Sequence, residues 1–247
     1  MFFLGTLSWM STSKKENQSN NVFKPGEELK YEMSYGWVKG GEASLILQEV
    51  NFQGKNAYHV KAIGRTVGVA HTLFKVRDVY ESYFDPETEK PYKSIMDLKE
   101  GDYRNYNEVY YYHEIKMLLS SKSGKKEVKN DVFDILSAFY HLRKNLNNLT
   151  YGDKVVIHTY FQDSPWDLIV RYKGNETIKT DLGKISCMKF KPLVEQGTFE
   201  NEDALDIWIS NDNNKVPIRV KMKFFVGSFK TDLISYVGLA NPLVFIK

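Results

Sequence analysis

Apolar and polar residues alternate along most of this chain. The run L-K-Y-E-M-S-Y-G-W, residues 29–37, has Leu, Tyr, Met, Tyr and Trp at odd positions, with charged or small residues between them. A repeat of two is the spacing of side chains on opposite faces of a β-strand. Similar runs recur as far as Val237, and each is bounded by Gly, Asn, Asp or Pro. The pattern predicts about a dozen strands joined by short turns, which favours an antiparallel sheet.

One stretch, residues 130–149, has the spacing of an amphipathic helix instead. Its apolar stripe consists of Val132, Ile135, Leu136, Phe139, Leu142 and Leu146, and the opposite stripe consists of Asp134, Ser137, His141 and Asn145. We expect Asp131 to be the N-cap, with its carboxylate accepting the amide proton of Asp134. Arg143 and Lys144 suit the negative end of the helix dipole. Residues 67–74 lack clean alternation and are predicted to form a loop or one helical turn.

These patterns predict an all-β, predominantly antiparallel fold, in which a large curved sheet or incomplete barrel packs against one amphipathic helix. Little long helix is expected outside residues 130–149. We interpret residues 22–247 as a single β domain, because this length suits one all-β unit and no internal repeat divides it. Residues 1–21 are interpreted as the remnant of a targeting segment followed by a disordered linker.

The beginning of the chain suggests export. Residues 1–10, M-F-F-L-G-T-L-S-W-M, are mostly apolar, and a polar run follows as far as residue 21. The apolar run resembles the end of a secretory segment, although it is too short to span a bilayer and lacks a basic start. We therefore predict a periplasmic or otherwise exported protein of the bacterial envelope. No cysteine follows the apolar run, which argues against a lipoprotein anchor. The polar run is expected to be disordered, because it has almost no apolar surface to bury.

The composition narrows the classes of partner. The formal net charge is +3 and the Lys and Arg residues are scattered, so the basic surface of a nucleic-acid-binding protein is missing. Apolar residues make up 42% of the chain, which is enough for a substantial core, and the 14% of aromatic residues favours strands. The single cysteine, Cys187, cannot form an internal disulfide. It alternates with apolar neighbours, so we predict a buried small hydrophobic residue rather than a nucleophile.

Five stretches carry a resemblance to a known family. They are Y-E-M-S-Y-G-W-V-K-G-G-E-A-S-L (31–45), F-K-V-R-D-V-Y-E-S-Y-F-D-P-E-T (74–88), D-V-F-D-I-L-S-A-F-Y-H-L-R (131–143), L-G-K-I-S-C-M-K-F-K-P (182–192), and L-D-I-W-I-S-N-D with K-V-P-I-R (205–219). In this order they resemble the bacterial domain-of-unknown-function family 3108, and the likeness extends from residue 22 to residue 237. The resemblance implies an exported envelope protein with a mostly β fold, and it implies no settled activity.

Signals of catalysis are poor. The histidines have no metal-ligand spacing; they are His59, His71, His113, His141 and His158. The chain has no nucleophile elbow, phosphate-binding glycine loop or dinucleotide fingerprint. Asp97, Glu100 and Asp102 could supply the paired acids of a glycosidase, but carboxylates are also common on solvated strand faces. We predict no catalytic residue, no metal site and no cofactor.

Two charged residues fall on apolar faces. Asp78 is in phase with Phe74, Val76 and Tyr80, so its side chain should point to the apolar side of its strand. Arg143 lies within the apolar stripe of the helix, where a lone charge would be costly. One hypothesis pairs the two under the helix. The alternative is that Asp78 marks a bulge and Arg143 extends from the last turn to cap carbonyl groups.

Three tryptophans complete the candidate residues. Trp208 shares a strand face with Asp206 and Ser210, so its indole lies on a polar face, where it could stack on a sugar or simply be covered. Trp37 and Trp166 are core residues by their phase.

We therefore predict a non-catalytic, extracytoplasmic module that holds an apolar or amphipathic ligand, a lipid or a glycan, between the helix and the concave sheet face. The candidate ligand-binding residues are Tyr35, Trp37, Asp78, Tyr80, Arg143 and Trp208. A polysaccharide-active enzyme with paired carboxylates and a structural envelope protein are the alternatives. Other envelope components are further candidate partners, and the sequence indicates neither the ligand's identity nor the oligomeric state.

Overall fold

A computed structural model describes residues 21–129, 131–193, 205–223 and 228–247. The first half of the sheet contains β1 (Glu28–Tyr35), β2 (Val38–Phe52), β3 (Lys55–Thr66), β4 (Arg77–Phe84), β5 (Pro91–Glu100), β6 (Tyr103–Tyr112), β7 (Met117–Ser120) and β8 (Gly124–Glu127). The second half contains β9 (Lys154–Phe161), β10 (Ser164–Thr180), β11 (Gly183–Leu193), β12 (Leu205–Ser210), β13 (Pro217–Lys223) and β14 (Ser228–Val237). The helices are α1 (Gly68–Leu73) and α2 (Ile135–Lys144), and a 3₁₀ turn spans His113–Ile115.

The described strands form one antiparallel sheet of fourteen strands. Its order is β8-β7-β6-β5-β4-β3-β2-β1-β14-β13-β12-β11-β10-β9, so two meanders are joined where β1 pairs with β14. This architecture confirms the predicted all-β antiparallel fold. The sheet exceeds the dozen strands that the sequence predicts, and the extra strands include β8, whose sequence G-K-K-E lacks apolar alternation. The interpretation of residues 22–247 as a single domain stays a prediction, and residues 1–20, with the targeting segment, lie outside the described residues.

The sheet curls until its two ends meet. In a flat sheet, twelve strand spacings would separate β7 from β9 by about 55–60 Å. Instead, Asp163, in the turn between β9 and β10, accepts hydrogen bonds from Ser120 at the end of β7 (2.5 Å) and from Ser123 (3.0 Å). Side-chain hydrogen bonds therefore join the two ends of the sheet, between which no strand pairing is present in the described chain. The sheet surrounds a space that we call the cup.

Helix α2 lies inside this curled sheet and defines its inner face. The helix begins later than the sequence predicts, because Asp134, not Asp131, is its N-cap. The Asp134 carboxylate accepts the amide protons of Leu136 and Ser137, and the Ser137 hydroxyl oxygen accepts the amide proton of Asp134, which completes a capping box. Asp131 has a left-handed backbone (φ 57°) and its carboxylate pairs with Lys90 instead.

Burial of α2 differs from the predicted single stripe. Ser137, on the stripe predicted to be polar, is fully buried, and so are Ala138 and Tyr140. The physical reason is that the helix is enclosed on two sides, since it packs on β4 and on β9. In contrast, Leu136 and Phe139 of the predicted apolar stripe are only half-buried. Part of the most apolar surface of the helix therefore faces the cup.

The other helical segment, α1, is one short helix of six residues, as the lack of alternation at residues 67–74 predicted. Within the described ranges, α2 and α1 are the α-helices, so the expectation of little long helix is confirmed. None of the helices in the described part of the chain is long and apolar enough to cross a membrane.

Candidate functional site

The C-terminal half of α2 is anchored by a buried ion pair. Arg143 donates to both carboxylate oxygens of Glu27, from Nη1 to Oε1 (2.6 Å) and from Nη2 to Oε2 (2.8 Å), and both side chains are fully buried. The guanidinium also donates to the carbonyl oxygen of Asn214 (2.9 Å). Phe23 and Tyr140 lie beside it, with ring centroids 5.3 and 5.1 Å from Cζ. Although burial lowers the pKa of Arg143, the Glu27 carboxylate outweighs this effect and the net pKa is raised.

The hypothesis that Asp78 pairs with Arg143 is therefore wrong. Phe84, at the C-terminal end of β4, packs on Tyr140 of α2 at a ring distance of 5.6 Å. Asp78 is near the N-terminal end of β4, six residues and about 20 Å along the strand from Phe84. Its carboxylate accepts the amide proton of Lys99 (3.2 Å), and its side chain is on the inner face, as its phase predicted.

Around the N-terminus of α2, apolar side chains of four elements, α2, β4, β9 and β10, line the cup. We call this surface the inner wall; it consists of Tyr80, Ile135, Leu136, Phe161 and Trp166, all half-buried. The Tyr80 and Phe161 rings are stacked at 6.2 Å, and Phe161 and Trp166 are 6.3 Å apart. Burial, together with the Asp78 carboxylate, raises the pKa of Tyr80 to about 12, so its phenol is neutral at physiological pH. The wall is thus a partly exposed, uncharged surface.

Asp134 lies at the base of the inner wall. Besides the two helix amides, its carboxylate accepts hydrogen bonds from the hydroxyls of Ser82 (2.5 Å) and Ser137 (2.8 Å). Burial raises the pKa of Asp134, and the hydrogen bonds from Ser82 and Ser137 oppose that effect without cancelling it. The carboxylate is therefore occupied by the capping of α2 and by its attachment to β4.

Asp163 lies on the opposite side of the same cavity. Its Oδ1 also accepts from Tyr160 (2.9 Å) and from the Asn107 amide (3.3 Å). Burial raises the pKa of this carboxyl, but hydrogen bonds from Ser120 and Tyr160 outweigh it and the net pKa is lowered. The charged form of Asp163 is thus stabilised by the network that closes the sheet.

The enclosed part of the cup is small. The cavity between Tyr80, Leu136, Asp134, Phe161 and Asp163 has a volume of about 30 Å³, which is room for one or two water molecules. Ligand pockets for drug-sized molecules are ten times larger or more. A ligand of that size would therefore have to lie along the open inner wall, with at most a small group in the cavity.

The structure places the other predicted ligand-binding residues apart from the inner wall. Tyr35 ends β1, is 43% exposed and packs on Phe229 at a ring distance of 6.1 Å. Trp37 is 94% exposed in the turn between β1 and β2, so its interpretation as a core residue is wrong. The alternation of β1 ends in this turn, and phase carries no information beyond it. Both rings lie at the end of the sheet opposite to the buried Arg143–Glu27 pair, because β1 begins next to Glu27 and ends at Tyr35.

Trp208 lies on the face of β12 opposite to the one that packs toward α2. Across the strands it is paired with Lys189 and Arg219, but it also belongs to a buried hydrophobic cluster that contains Ile185 and Cys187, so the face is only partly polar. The indole is covered, because Lys189 Nζ lies 5.0 Å from the ring centroid and the indole N–H donates to Glu176 (2.8 Å). Trp208 therefore does not reach the cup. Cys187, on the same face, is buried as predicted, and burial raises the pKa of its thiol to about 12.

The suggested pair of catalytic acids is not assembled. Asp97 and Glu100 differ by an odd number of positions along β5, so their side chains lie on opposite faces. Asp97 instead pairs with Lys99 (2.8 Å). Across the described ranges, no three His, Cys, Asp or Glu side chains are grouped closely enough to bind a metal ion.

Comparison with known proteins gives a family and a fold. A family model described as "Protein of unknown function (DUF3108)" matches residues 30–234. Among curated proteins, 79 residues are 32% identical to the RNA polymerase subunit β' of Roseiflexus castenholzii; the match covers 32% of this chain but only 5% of that subunit. Such a short match transfers no activity.

Solved structures with a similar fold include a β-barrel-like protein of the family DUF1849 from Brucella abortus. Its TM-score is 0.59 at 7% identity, and the alignment covers 87% of this chain and 98% of that one. A protein described as a candidate lipoprotein from Parabacteroides distasonis has a TM-score of 0.37 at 12% identity, with 87% and 98% of the two chains covered. The first of these likenesses shows a shared barrel-like fold and nothing about ligands.

Proposed function

The chain belongs to the DUF3108 family, and on that premise we propose that it is a non-catalytic binding protein of the cell envelope that holds a lipid against the inner wall of its cup. The observation that carries the proposal is the incomplete burial of the apolar stripe of α2. Ile135 and Leu136 face the same cavity as the rings of Tyr80 and Phe161. A helix that only completed a core would bury its most apolar residues, whereas here Ser137 is fully buried and Leu136 is only half-buried.

A hydrocarbon chain suits this wall better than a glycan does. Sugar recognition needs several polar groups that are free to bond the ligand. The two carboxylates of the cavity are already engaged, since Asp134 accepts four hydrogen bonds from the protein and Asp163 Oδ1 also accepts four. The wall itself is uncharged and rich in rings, and burying it against an acyl chain is favourable in proportion to the area removed from water.

Export to the envelope is the part of the proposal that rests on the sequence. The apolar residues 1–10 followed by a polar run are what the end of a secretory segment looks like.

A second candidate function is hydrolysis of a glycan by paired acids. The specific observation in its favour is that Asp134 and Asp163 line one cavity while their pKa values are shifted in opposite directions, which is how acid and base roles are divided in many hydrolases. Their hydrogen bonds give each carboxylate a structural task instead. If the protein is a hydrolase, loss of the Asp163 carboxylate should abolish catalysis. If it is a binding protein, the same loss should affect only stability.

The test is titration of a fluorescent fatty acid into the purified full chain and two wall variants, Leu136→Gln and Trp166→Ser. Each should weaken binding about tenfold, because losing about 55 Å² of apolar contact is worth about 1.4 kcal/mol. The matched control is Val156→Ser, which removes a 49%-exposed apolar side chain from the outer face of β9 and should leave affinity unchanged. The unfolding free energy of each variant is measured alongside, so that loss of packing is not mistaken for loss of contact.

The proposal fails if the wild-type protein does not bind the probe, or if the wall variants bind as well as Val156→Ser does. The second candidate gains if the protein cleaves a glycan and Asp163→Asn abolishes that activity while the fold persists.

A further inference from the structure

Large apolar side chains project into solvent at the end of the sheet opposite to the buried Arg143–Glu27 pair. They are Trp37 (94% exposed), Val38 (47%), Val69 (73%), Leu73 (80%) and Phe74 (55%), and we call them the tip surface. Scattered single hydrophobic residues are normal on a protein surface, but a cluster of this kind marks a contact with a membrane or another protein. Trp37, Leu73 and Val69 are the three most exposed large apolar side chains of the described chain.

The tip surface is preformed, because its segments are bonded to one another. The β1–β2 hairpin holds the start of α1 through the Val67 amide, which donates to the Gly40 carbonyl oxygen (3.0 Å). The turn after β5 holds the other end of α1, where the Gly101 amide donates to the Lys75 carbonyl oxygen (2.7 Å). Gly101 has a positive φ (55°) and an added Cβ would be only 2.7 Å from the Phe74 ring, so glycine is required for this contact. The exposed side chains thus belong to one ordered surface.

Cationic side chains lie beside these apolar ones. Arg65 and Arg77 are directly opposite each other on β3 and β4, an arrangement of like charges that destabilises a sheet. Arg65 is balanced by Glu42 (3.0 Å). For Arg77 and Lys75, no carboxylate of the described chain lies within ion-pair distance.

The hairpin of β5 and β6 carries Asp102 in its turn and Arg104 at the start of β6. The Arg104 guanidinium donates only to carbonyl oxygens, those of Gly101 and Tyr103, so its charge is not neutralised by this contact. Asp102 is the exposed acid of this turn.

The acids of this edge are Asp78, Glu100 and Asp102, but Asp78 and Glu100 share the inner-face phase of Tyr80 and Met96. Arg77 lies on the outer face opposite Arg65, so the cationic excess is confined to that outer face. An anionic partner would be attracted to this edge and would relieve the repulsion between Arg65 and Arg77.

We propose that the tip surface docks the protein on an anionic lipid bilayer, with Trp37, Leu73 and Val69 inserted among the lipids and Arg77 on a lipid phosphate. Tryptophan at the membrane interface, with aliphatic side chains below it and basic ones around it, is the composition of an interfacial anchor. Each Lys or Arg near an anionic surface adds to the attraction. The projecting side chains on a hairpin turn and a one-turn helix suit insertion into a fluid layer.

Docking of this kind would also hold the cup near the lipids. That consequence rests on the proposed function, whereas the docking itself does not, because the tip surface and the inner wall share no residue.

The test is cosedimentation of the full chain with vesicles of phosphatidylcholine containing 30% phosphatidylglycerol, and with vesicles of phosphatidylcholine alone. We expect the double variant Trp37→Ser/Leu73→Ser to lose at least tenfold in partitioning to the anionic vesicles. Arg77→Gln should lose several-fold on anionic vesicles and change little on neutral ones. The matched control is Ile115→Ser, whose side chain is 68% exposed near the opposite end of the sheet and should matter for neither. Quenching of tryptophan fluorescence by lipids brominated in their tails should fall in Trp37→Phe.

The proposal is overturned if the double variant partitions like Ile115→Ser, or if brominated lipids quench Trp37→Phe as strongly as the wild type. It is also overturned if the wild type forms a dimer in solution that the double variant abolishes, because the tip surface would then be a subunit interface. Binding of a soluble fatty acid should be the same in the double variant and the wild type. Loss of docking with intact fatty-acid binding therefore separates this inference from the proposed function.

Discussion

Arg143 combines two facts that usually exclude each other, a permanent charge and complete burial. The cost of desolvation is offset because Glu27 receives two parallel hydrogen bonds and the Asn214 carbonyl receives a third. Its place in the apolar stripe was enough to predict that the charge is buried. Its partner could not be predicted, because Glu27 is 116 residues away along the chain and lies before the first strand. Asp78 is on the inner face of β4, as its phase predicted, but it lies too far along the strand to reach Arg143. Alternation reports the face of a strand on which a side chain lies, not its position along the strand.

Removal of either member of this pair should strand the other charge in the core. Arg143→Met and Glu27→Gln are each expected to lower the free energy of unfolding by about 3–5 kcal/mol. In chemical denaturation, the double variant should be more stable than the sum of the two losses predicts, by about 1–3 kcal/mol. Asp78→Asn combined with Arg143→Met serves as the control and should be additive. Additive losses for Glu27 and Arg143 would contradict the ion pair.

Trp37 and Trp166 show the limit of phase at single residues. Both were interpreted as core residues, yet Trp37 lies in a turn, where side chains have no fixed face. Trp166 is half-buried on the inner wall. Sequence alternation separates the two faces of a strand, but it does not distinguish a filled interior from an open one.

At the scale of elements, the type of each segment was predictable and several boundaries were not. Helix α2 is ten residues long, whereas its apolar spacing extended over residues 130–149. The signal that would have placed its start is the spacing of Asp134 and Ser137, a capping box three residues apart. Asp131 offered a competing N-cap, and its left-handed backbone instead lets Phe133 form a bridge with Thr159 of β9. The turn residue Asp163 gave no sequence signal of its role in closure, because the partners that close the sheet, Asn107, Ser120 and Ser123, are 40 or more residues away along the chain.

The closure made by Asp163 should depend on pH. Its carboxyl has a lowered pKa in the folded protein, so the charged form contributes stability above its ordinary pKa near 3.8, and that contribution is lost as the pH falls through the lower folded value. Asp163→Asn should therefore cost about 1–2 kcal/mol at pH 7, the net worth of a few hydrogen bonds to a charged acceptor. The difference between the variant and the wild type should shrink below pH 4.

Urea denaturation at pH 7, 5 and 3 measures this difference. Other carboxyl groups titrate in both proteins and largely cancel in the comparison. A difference that stays constant or grows toward pH 3 would show that the charge of Asp163 does not hold the two ends of the sheet together.

At the scale of the whole molecule, the antiparallel sheet was predictable because period-two segments and short turns leave few other arrangements. The likeness to family 3108 is confirmed by the match over residues 30–234. The predicted curved sheet or incomplete barrel is confirmed as well. The closure of its two ends and the depth of the cup were not predictable, since both depend on side chains from distant segments, such as Asp163 and Ser120. Only the finished closure shows that α2 fills one part of the cup and leaves the inner wall open.

The central claim is that this open wall holds a lipid. Native mass spectrometry of the protein purified from its own envelope, without added ligand, tests it most directly. The account predicts a wild-type mass increased by one lipid, released on denaturation, and a bare mass for Leu136→Asp, in which a charge is placed on the wall. A bare wild-type protein that regains no mass on incubation with envelope lipids would contradict the claim, and so would a lipid retained equally by Leu136→Asp.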